Sequence, residues 1–400
     1  MRPRNFYATW IKMDQNKKII IAADTYPPDI NGSAHFSARL AHGLANKGYE
    51  IHVIAPSPIK GPSYSSSVDG LTEHRLHSHA VSNHQTFRLC LPWQIKKEIR
   101  YLFDTIKPDV VHVQCHYLIG RLVVNEAVSR TIRLIATNHF VPECLSPYLP
   151  FPQWINNKIA QISWRDIGRV FKKADKVTTP SSLAIKPLEE RAGLAEVIPI
   201  SNGVDLSKFY RANIPHIKST TPTILFVGRL DPDKNIPILL EALKHLQNEL
   251  IVHLNIVGHG LMRKELEDKA VAMGIQQQIH FLGSVSENEL REAYQRATVF
   301  CMPGAVELQS IATLEAMASA CPVLLAEAMA LPLLIDNNKN GYLFNPQDSL
   351  DLAEKIKKIM QLSSEQLEAM GNASYQLVQK HHIENTLEAY ERLYFPNEFI

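Results

Sequence analysis

Long hydrophobic runs are missing from this sequence of 400 residues. No stretch approaches the roughly 20 apolar residues of a membrane-spanning helix, which argues against an integral membrane protein. The opening residues, MRPRNFYATWIKMDQNKK, are basic and aromatic but hold no apolar segment, so a secretory signal is not expected. Cysteine is sparse and odd in number: the five lie at 90, 115, 144, 301 and 321, with no CxxC among them. A disulfide framework and a zinc ribbon are therefore not expected, whereas buried thiols in a reducing, cytoplasmic compartment are. Neither sign of charge dominates. With 42 Lys and Arg against 40 Asp and Glu, the formal net charge of +2 gives no electrostatic case for nucleic acid as a partner. The GxGxxG of a dinucleotide fold is also absent, which removes the main support for a two-domain NAD dehydrogenase.

What is present is alternation. Lys18 to Ala23, KIIIAA, is an unbroken apolar run of the kind seen in parallel strands covered on both faces. A proline-broken loop, Asp24 to Ser33, leads into a helix from about Ala34 to Lys47 with Phe36, Leu40, Ala41 and Leu44 on one face. Gly48 ends it, and Glu50 to Ala55 is the next strand, completing a βαβ unit. Strands at 109–114, 132–137 and 176–179 and helices at 92–106, 119–130 and 152–173 continue the pattern. The last of these helices carries Trp154, Ile155, Ile159, Ile162 and Trp164 with Arg165, Arg169, Lys172 and Lys173, an apolar and basic face suited to core packing or to anionic lipid. The region 56–84 is polar and rich in Ser and His, and reads as exposed loops and short strands. Its histidines at 74, 77, 79 and 84, taken with His52, match no metal-site spacing, so no metal is assigned.

Ser201-Asn202-Gly203-Val204-Asp205 and the polar segment that follows, up to Pro222, mark a boundary. Beyond it come strands at 223–227, 251–257, 278–282, 297–302 and 323–326, with helices at 236–247, 260–273 and 286–296. Helical stretches at 348–361, 363–380 and 384–395 finish the chain. The expected fold class is α/β, with two Rossmann-like doubly wound domains facing a cleft. Residues 1–15 read as an extension, 16–205 as the first domain, 206–383 as the second and 384–400 as a last helix. Residues 1–12 are expected to be dispensable, with a weak interfacial anchor built on Phe6, Tyr7 and Trp10 as the alternative.

The chain is organised around Pro303 to Pro322, PGAVELQSIATLEAMASACP, in which Glu307 and Glu315 are separated by seven residues. An apolar strand precedes it, and Ile311, Leu314, Met317 and Ala318 follow at helical spacing. Glu307 thus belongs to a strand-to-helix loop and Glu315 to the helix, while Ser310 is placed to cap it. The amides of Ser310, Ile311 and Ala312 form a seat for an anion such as phosphate. Two carboxylates beside such a seat suit a phosphorylated, hydroxyl-rich ligand, with Glu307 on one set of hydroxyls and Glu315 on those of a ribose. Acidic residues near a helix start are equally common for dipole reasons alone. Gly228-Arg229-Leu230-Asp231-Pro232-Asp233-Lys234-Asn235 also joins a strand to a helix, and its two cations, five residues apart, suit a diphosphate. Asp231 and Asp233 read as loop acids. Gly258-His259-Gly260 permits close phosphate approach or makes a tight turn. Gly32 allows something small to approach the first loop, and His139, at the end of a first-half strand, can reach a ligand hydroxyl or serve the structure alone.

Together NGS after the first strand, SNGVD, GRLDPDKN, GHG, ELQSIATLEAMASACPV and LPLLIDNNKNGYLF resemble the retaining glycosyltransferases of family 4, with the GT-B fold, from about Lys17 onward. The resemblance implies a nucleotide-sugar held by the second domain and an acceptor held by the first. Arg229 and Lys234 would hold the donor diphosphate, Glu307 the sugar hydroxyls, Ser310 and Ile311 a phosphate, and Glu315 the ribose. Gly32 and Gly258 would approach the donor, His139 would line the sugar site, and the last helix would cross back onto the first domain. No cofactor and no metal are implied, since the nucleotide-sugar, UDP- or GDP-linked, is a substrate. The implied product is a glycoside of a lipid or lipid-linked glycan made at the inner membrane face, with peripheral membrane contact. A soluble sugar acceptor and a non-catalytic nucleotide-sugar binder stay as alternatives. Gln309 and Ser310 stand where the family has an aromatic and a glycine, Ala320 where a glycine ends the helix, and Leu333 where many members carry a glutamate.

Overall fold

The computed structural model describes residues 17–81, 88–149, 151–209 and 222–398. Expectations for residues 1–12 and for His84 lie outside the described residues. The strands are β1 (Lys18–Ala22), β2 (Glu50–Pro56), β3 (Tyr64–Val68), β4 (Leu71–Leu76), β5 (His79–Ala80), β6 (Arg88–Leu89), β7 (Val110–Val113), β8 (Arg133–Thr137), β9 (Lys176–Thr179) and β10 (Ile198–Pro199) in the first half. The second half holds β11 (Thr223–Val227), β12 (His253–Val257), β13 (Ile279–Gly283), β14 (Val299–Met302), β15 (Val323–Ala326) and β16 (Gly341–Phe344). Helices α1 (Gly32–Asn46), α2 (Pro92–Ile106), α3 (Leu118–Ser129), α4 (Gln153–Phe171), α5 (Ile185–Ala192) and α6 (Leu206–Phe209) belong to the first half. They are followed by α7 (Pro237–Leu246), α8 (Arg263–Met273), α9 (Glu287–Arg296), α10 (Ile311–Ala318), α11 (Ser349–Met360), α12 (Ser364–Val378) and α13 (Ile383–Tyr394).

Alternation along each strand divides the first core in two. On β1, Ile19 and Ile21 pack with Phe36 and Leu40 of α1, whereas Ile20 and Ala22 face Ile95, Ile99, Val123 and Ile167 of α2, α3 and α4. The sheet order is β10-β9-β8-β7-β1-β2-β4-β3, parallel except for β3. The second sheet, β13-β12-β11-β14-β15-β16, is parallel throughout. Strand order reverses between β7 and β1 in the first sheet and between β11 and β14 in the second. The crevice at such a reversal is where doubly wound sheets hold ligands.

Two departures from expectation have clear causes. β4 is one of the short strands expected in this polar region but is buried rather than exposed, because its polar residues are satisfied in pairs. Arg75 Nε donates to Glu73 at 2.8 Å, and His74 Nε2 lies 3.1 Å from His52 Nδ1. On α4 the expected apolar face splits. Trp164 is buried in the core with Ile167 and Phe171, while Trp154 and Ile162 are exposed.

The chain crosses between the halves twice. Val204 bridges to His382, and Gly203, at φ +70°, sits so close to α13 that a Cβ there would meet Thr386 Oγ1 at 2.7 Å. α13 then docks on the first sheet: Tyr394 Oη lies 2.6 Å from His112 Nδ1, and Tyr390 contacts Thr137 and Thr178.

Candidate active site

The loop after β11 carries Arg229, Asp231, Asp233 and Lys234. Pro232 starts a short 3-10 turn over Pro232–Lys234 that ends at Asn235 in the left-handed region, φ +50°. That turn folds the loop so that its charges meet. Arg229 pairs with Asp231 and lies 3.3 Å from Asp233. Lys234 pairs with Glu307 and lies 3.5 Å from Asp233. Asp231 also accepts the Leu261 amide at 3.1 Å. Asp231, Asp233 and Glu307 are buried. Burial opposes charge on both cations, but the facing carboxylates, Asp233 and Asp231 for Arg229 and Glu307 and Asp233 for Lys234, hold both above their ordinary range. The diphosphate-binding candidates and the first glutamate thus form one cluster at the strand-order reversal. The DxD acids serve as partners of Arg229, and among the described residues no group of three or more His, Cys, Asp and Glu is disposed to hold a metal.

After β14 the chain turns through Gly304 and Glu307 into α10. Ser310 caps this helix as expected, its Oγ accepting from the Thr313 amide at 3.2 Å. The helix ends with Ala320 at φ +54°, where a glycine would be unstrained. Glu315 lies inside α10 with its side chain largely but not wholly shielded. Its Oε1 accepts from Arg39 Nη2 of α1 at 3.1 Å, and its Oε2 accepts from Tyr294 Oη at 3.2 Å. Burial pushes this carboxyl up, and Arg39 and Tyr294 act against that rise.

The first half supplies the opposite wall. Gly32 opens α1 facing Ile311 of α10; a Cβ there would meet Ile311 Cδ1 at 3.9 Å, an ordinary van der Waals contact. His139 Nε2 lies 2.9 Å from Gln114 Oε1, and its ring packs against Phe36 in a tilted arrangement, with centroids 4.9 Å apart and planes at 50°. Burial lowers it to about 3, so it is a neutral imidazole. A 3-10 segment at Pro142–Tyr148 follows, and Tyr148 Oη donates to Asp233 across the cleft at 3.4 Å. Gly258, at φ +131°, lets two loop backbones meet, since a Cβ there would fall 1.9 Å from the Gly228 carbonyl oxygen. Arg39, Tyr148, Tyr294 and Gln114 are not singled out by sequence, since none lies in a motif and each reaches the site only through the fold.

Two facing doubly wound sheets, with cations and an α-helix start at the reversal of the second, define a two-domain GT-B architecture. Solved structures agree in fold. Sucrose-phosphate synthase from Thermosynechococcus elongatus aligns with a TM-score of 0.75 at 18% identity, over 94% of this chain and 98% of its own. Anabaena HepE in complex with UDP and glucose aligns at 0.73 and 15%, over 94% and 98%. Residues 30–208 match the family model for Glycosyltransferase Family 4, and 211–377 match that for Glycosyl transferases group 1. The chain belongs to these glycosyltransferases. Among curated relatives, the GDP-mannose-dependent alpha-mannosyltransferase of Mycobacterium tuberculosis is 27% identical over 82% of this chain and 83% of the relative. Alpha-monoglucosyldiacylglycerol synthase of Acholeplasma laidlawii is 23% identical over 83% and 86%.

Proposed function

We propose that the protein transfers a hexose from a nucleotide-diphosphate sugar to an acceptor hydroxyl with retention at the anomeric carbon, without a metal or other cofactor. The observation that carries this reading is the convergence of Arg229, Lys234 and Glu307 beside the start of α10, opposite the first domain. Breaking the glycosyl–phosphate bond places negative charge on the leaving diphosphate and positive charge on the sugar. Arg229 and Lys234 retain unused donors for phosphate oxygens, and the amides of Ile311 and Ala312 open the helix toward the same anion. Such prepositioned donors lower the barrier as the charge develops. Glu307 accepts from sugar hydroxyls, and Glu315 accepts from those of the ribose. His139, being neutral, can hydrogen-bond the sugar without adding charge.

The acceptor is read as a lipid or lipid-linked glycan at the inner membrane face. Support comes from the relative named as a diacylglycerol glycoside synthase and from the exposed Trp154 and Ile162 beside Arg165 and Arg169 on α4. No helix among the described residues is long and apolar enough to cross a membrane. The test is hydrolysis and transfer on a panel of UDP- and GDP-hexoses in EDTA, with diacylglycerol, glycolipid and free-sugar acceptors. Turnover of one donor with a lipid acceptor and chelator present is the expected result. Absence of any donor turnover in the panel rejects the enzymatic reading, and transfer only to free sugars rejects the lipid acceptor.

A further inference from the structure

Glu315 is reached from the opposite domain. Arg39, on the third turn of α1, places Nη2 3.1 Å from Glu315 Oε1 and donates through Nη1 to the Gly203 carbonyl at 2.5 Å. Gly203 belongs to the strand of chain that joins the two halves. One guanidinium therefore links α1, the interdomain crossing and α10. The pair is largely shielded, with 22% of the Arg39 side chain and 12% of the Glu315 side chain exposed. Tyr294, wholly buried on α9, fixes the other carboxylate oxygen at 3.2 Å. Each oxygen thus has one protein donor. An ionised carboxylate offers about four acceptor positions, so one on each oxygen stays available. Two adjacent acceptor positions on one carboxylate match the two hydroxyls of a vicinal diol.

We propose that Arg39 is a positioning residue for the nucleotide: from the first domain it orients the Glu315 carboxylate toward the ribose 2′- and 3′-hydroxyls, so that the ribose is read only where the two domains meet. This rests on the reading of Glu315 as the ribose acceptor. Arg39 fixes the plane of the carboxylate through a bond that a lysine could make only singly, because the guanidinium engages Glu315 and Gly203 together. It also opposes the burial that pushes the carboxyl toward its protonated form, in which one acceptor position becomes a donor. Neighbouring charge is mixed: Glu287 at the start of α9 bears on Glu315, and His35 on α1 lies within the field of Arg39.

The test is calorimetric titration of the full chain with UDP and GDP and with their 2′,3′-dideoxy forms. Wild type should favour the ribose form of its nucleotide by roughly 10- to 100-fold, the range for hydrogen bonds to a charged group. In Arg39→Ala that ratio should collapse toward unity while affinity for the dideoxy form is unchanged, and Arg39→Lys should restore part of it. A general loosening of the fold would weaken both forms alike and would overturn the proposal, as would an Arg39→Ala protein that discriminates like wild type. Tighter ribose binding by Arg39→Ala would show that the guanidinium competes with the nucleotide and would also overturn it. If Arg39→Ala does not fold, Arg39→Met, which keeps an unbranched apolar stem without the guanidinium, carries the same comparison. A wild type that binds ribose and dideoxy forms equally defeats the assignment of Glu315, and Arg39 with it. A wild type that binds neither defeats the proposed function itself.

Discussion

Gln309 Oε1 accepts the Asn202 amide at 2.6 Å and also lies 3.3 Å from Ser201 Oγ, joining the loop of Glu307 to the interdomain crossing. The position where the family resemblance leads one to expect an aromatic residue is therefore a polar link between domains. Gln309→Ala leaves the Asn202 amide without this partner, at a cost of about 1–2 kcal/mol. The expected outcome is a small fall in thermal midpoint and a larger fall in kcat/KM, because Glu307 lies two residues away on the same loop. Steady-state kinetics beside a melting curve checks this. Unchanged kcat/KM with a lowered midpoint would show that the link serves stability alone.

Arg229→Ala and Lys234→Ala should each lower kcat by about 10²–10³, the usual loss when one charge-stabilising donor is removed. The fold should feel them as well. Asp231 and Asp233 are buried beside Arg229, and Glu307 is buried beside Lys234. Removing either cation leaves carboxylates unpaired, at a cost of roughly a few kcal/mol. Arg229→Lys keeps the charge and should recover stability more fully than turnover, since it loses the planar contact with both acids. Circular dichroism melts and single-turnover rates separate the two effects. Full activity in both alanine variants would contradict the assignment of these cations to the diphosphate.

The alternation of strands and helices was legible because strands buried on both faces read as continuous apolar runs: KIIIA in β1 and TILFV in β11. The glutamate pair and the Arg229 loop were legible as short, local patterns. The burial of β4 was not, because LTEHRL is apolar only at its ends and its buried polar residues depend on partners in β2 and β3. Nor was α5, whose sequence IKPLEERA contains a proline and few apolar residues. Arg39 was hidden for a different reason: its partners Gly203 and Glu315 are 164 and 276 residues away in sequence. Local pattern places an arginine on a helix face but does not say what that face will meet.

Acid should destabilise the protein from about pH 6.5 downward, through its buried histidines. Burial lowers His112 and His139 to about 3, and His74, His116 and His381 to about 4, from an ordinary value of 6.5. A depressed folded value means that stability is fully present above pH 6.5 and is lost as pH falls toward the folded values. The unfolded chain takes up protons in that window and the folded chain does not. Each ring that stays neutral contributes a slope of about 1.4 kcal/mol per pH unit. The thermal midpoint should therefore fall steadily between pH 6.5 and about 4, and His112→Asn should flatten the slope. A midpoint that is flat across that window would show that these rings protonate in place.

The last prediction concerns a membrane surface. On α4, Trp154, Lys158, Ile162, Arg165 and Arg169 fall within one stripe of about 80° at helical spacing. Trp154 is 62% and Ile162 64% exposed, and the ammonium of Lys158 lies 5.3 Å from the Trp154 ring centroid. α2, on the same side of the first sheet, repeats the composition with Trp93 and Tyr101 exposed beside Lys97 and Arg100. Exposed aromatic side chains set among cations suit the headgroup region, where the ring is partly buried and the charges meet anionic lipid. Each basic residue near such a surface contributes about 1 kcal/mol, falling with salt. The protein should sediment with phosphatidylglycerol vesicles at low ionic strength and be released by high salt. Trp154→Ala combined with Ile162→Ser should weaken sedimentation several-fold and leave the thermal midpoint unchanged, because neither side chain belongs to the core. The same variant should keep its rate on a short-chain, detergent-dispersed acceptor and lose rate on vesicles. Equal rates on both, or no sedimentation of the wild type at low salt, would assign these residues to some other surface and favour a soluble acceptor.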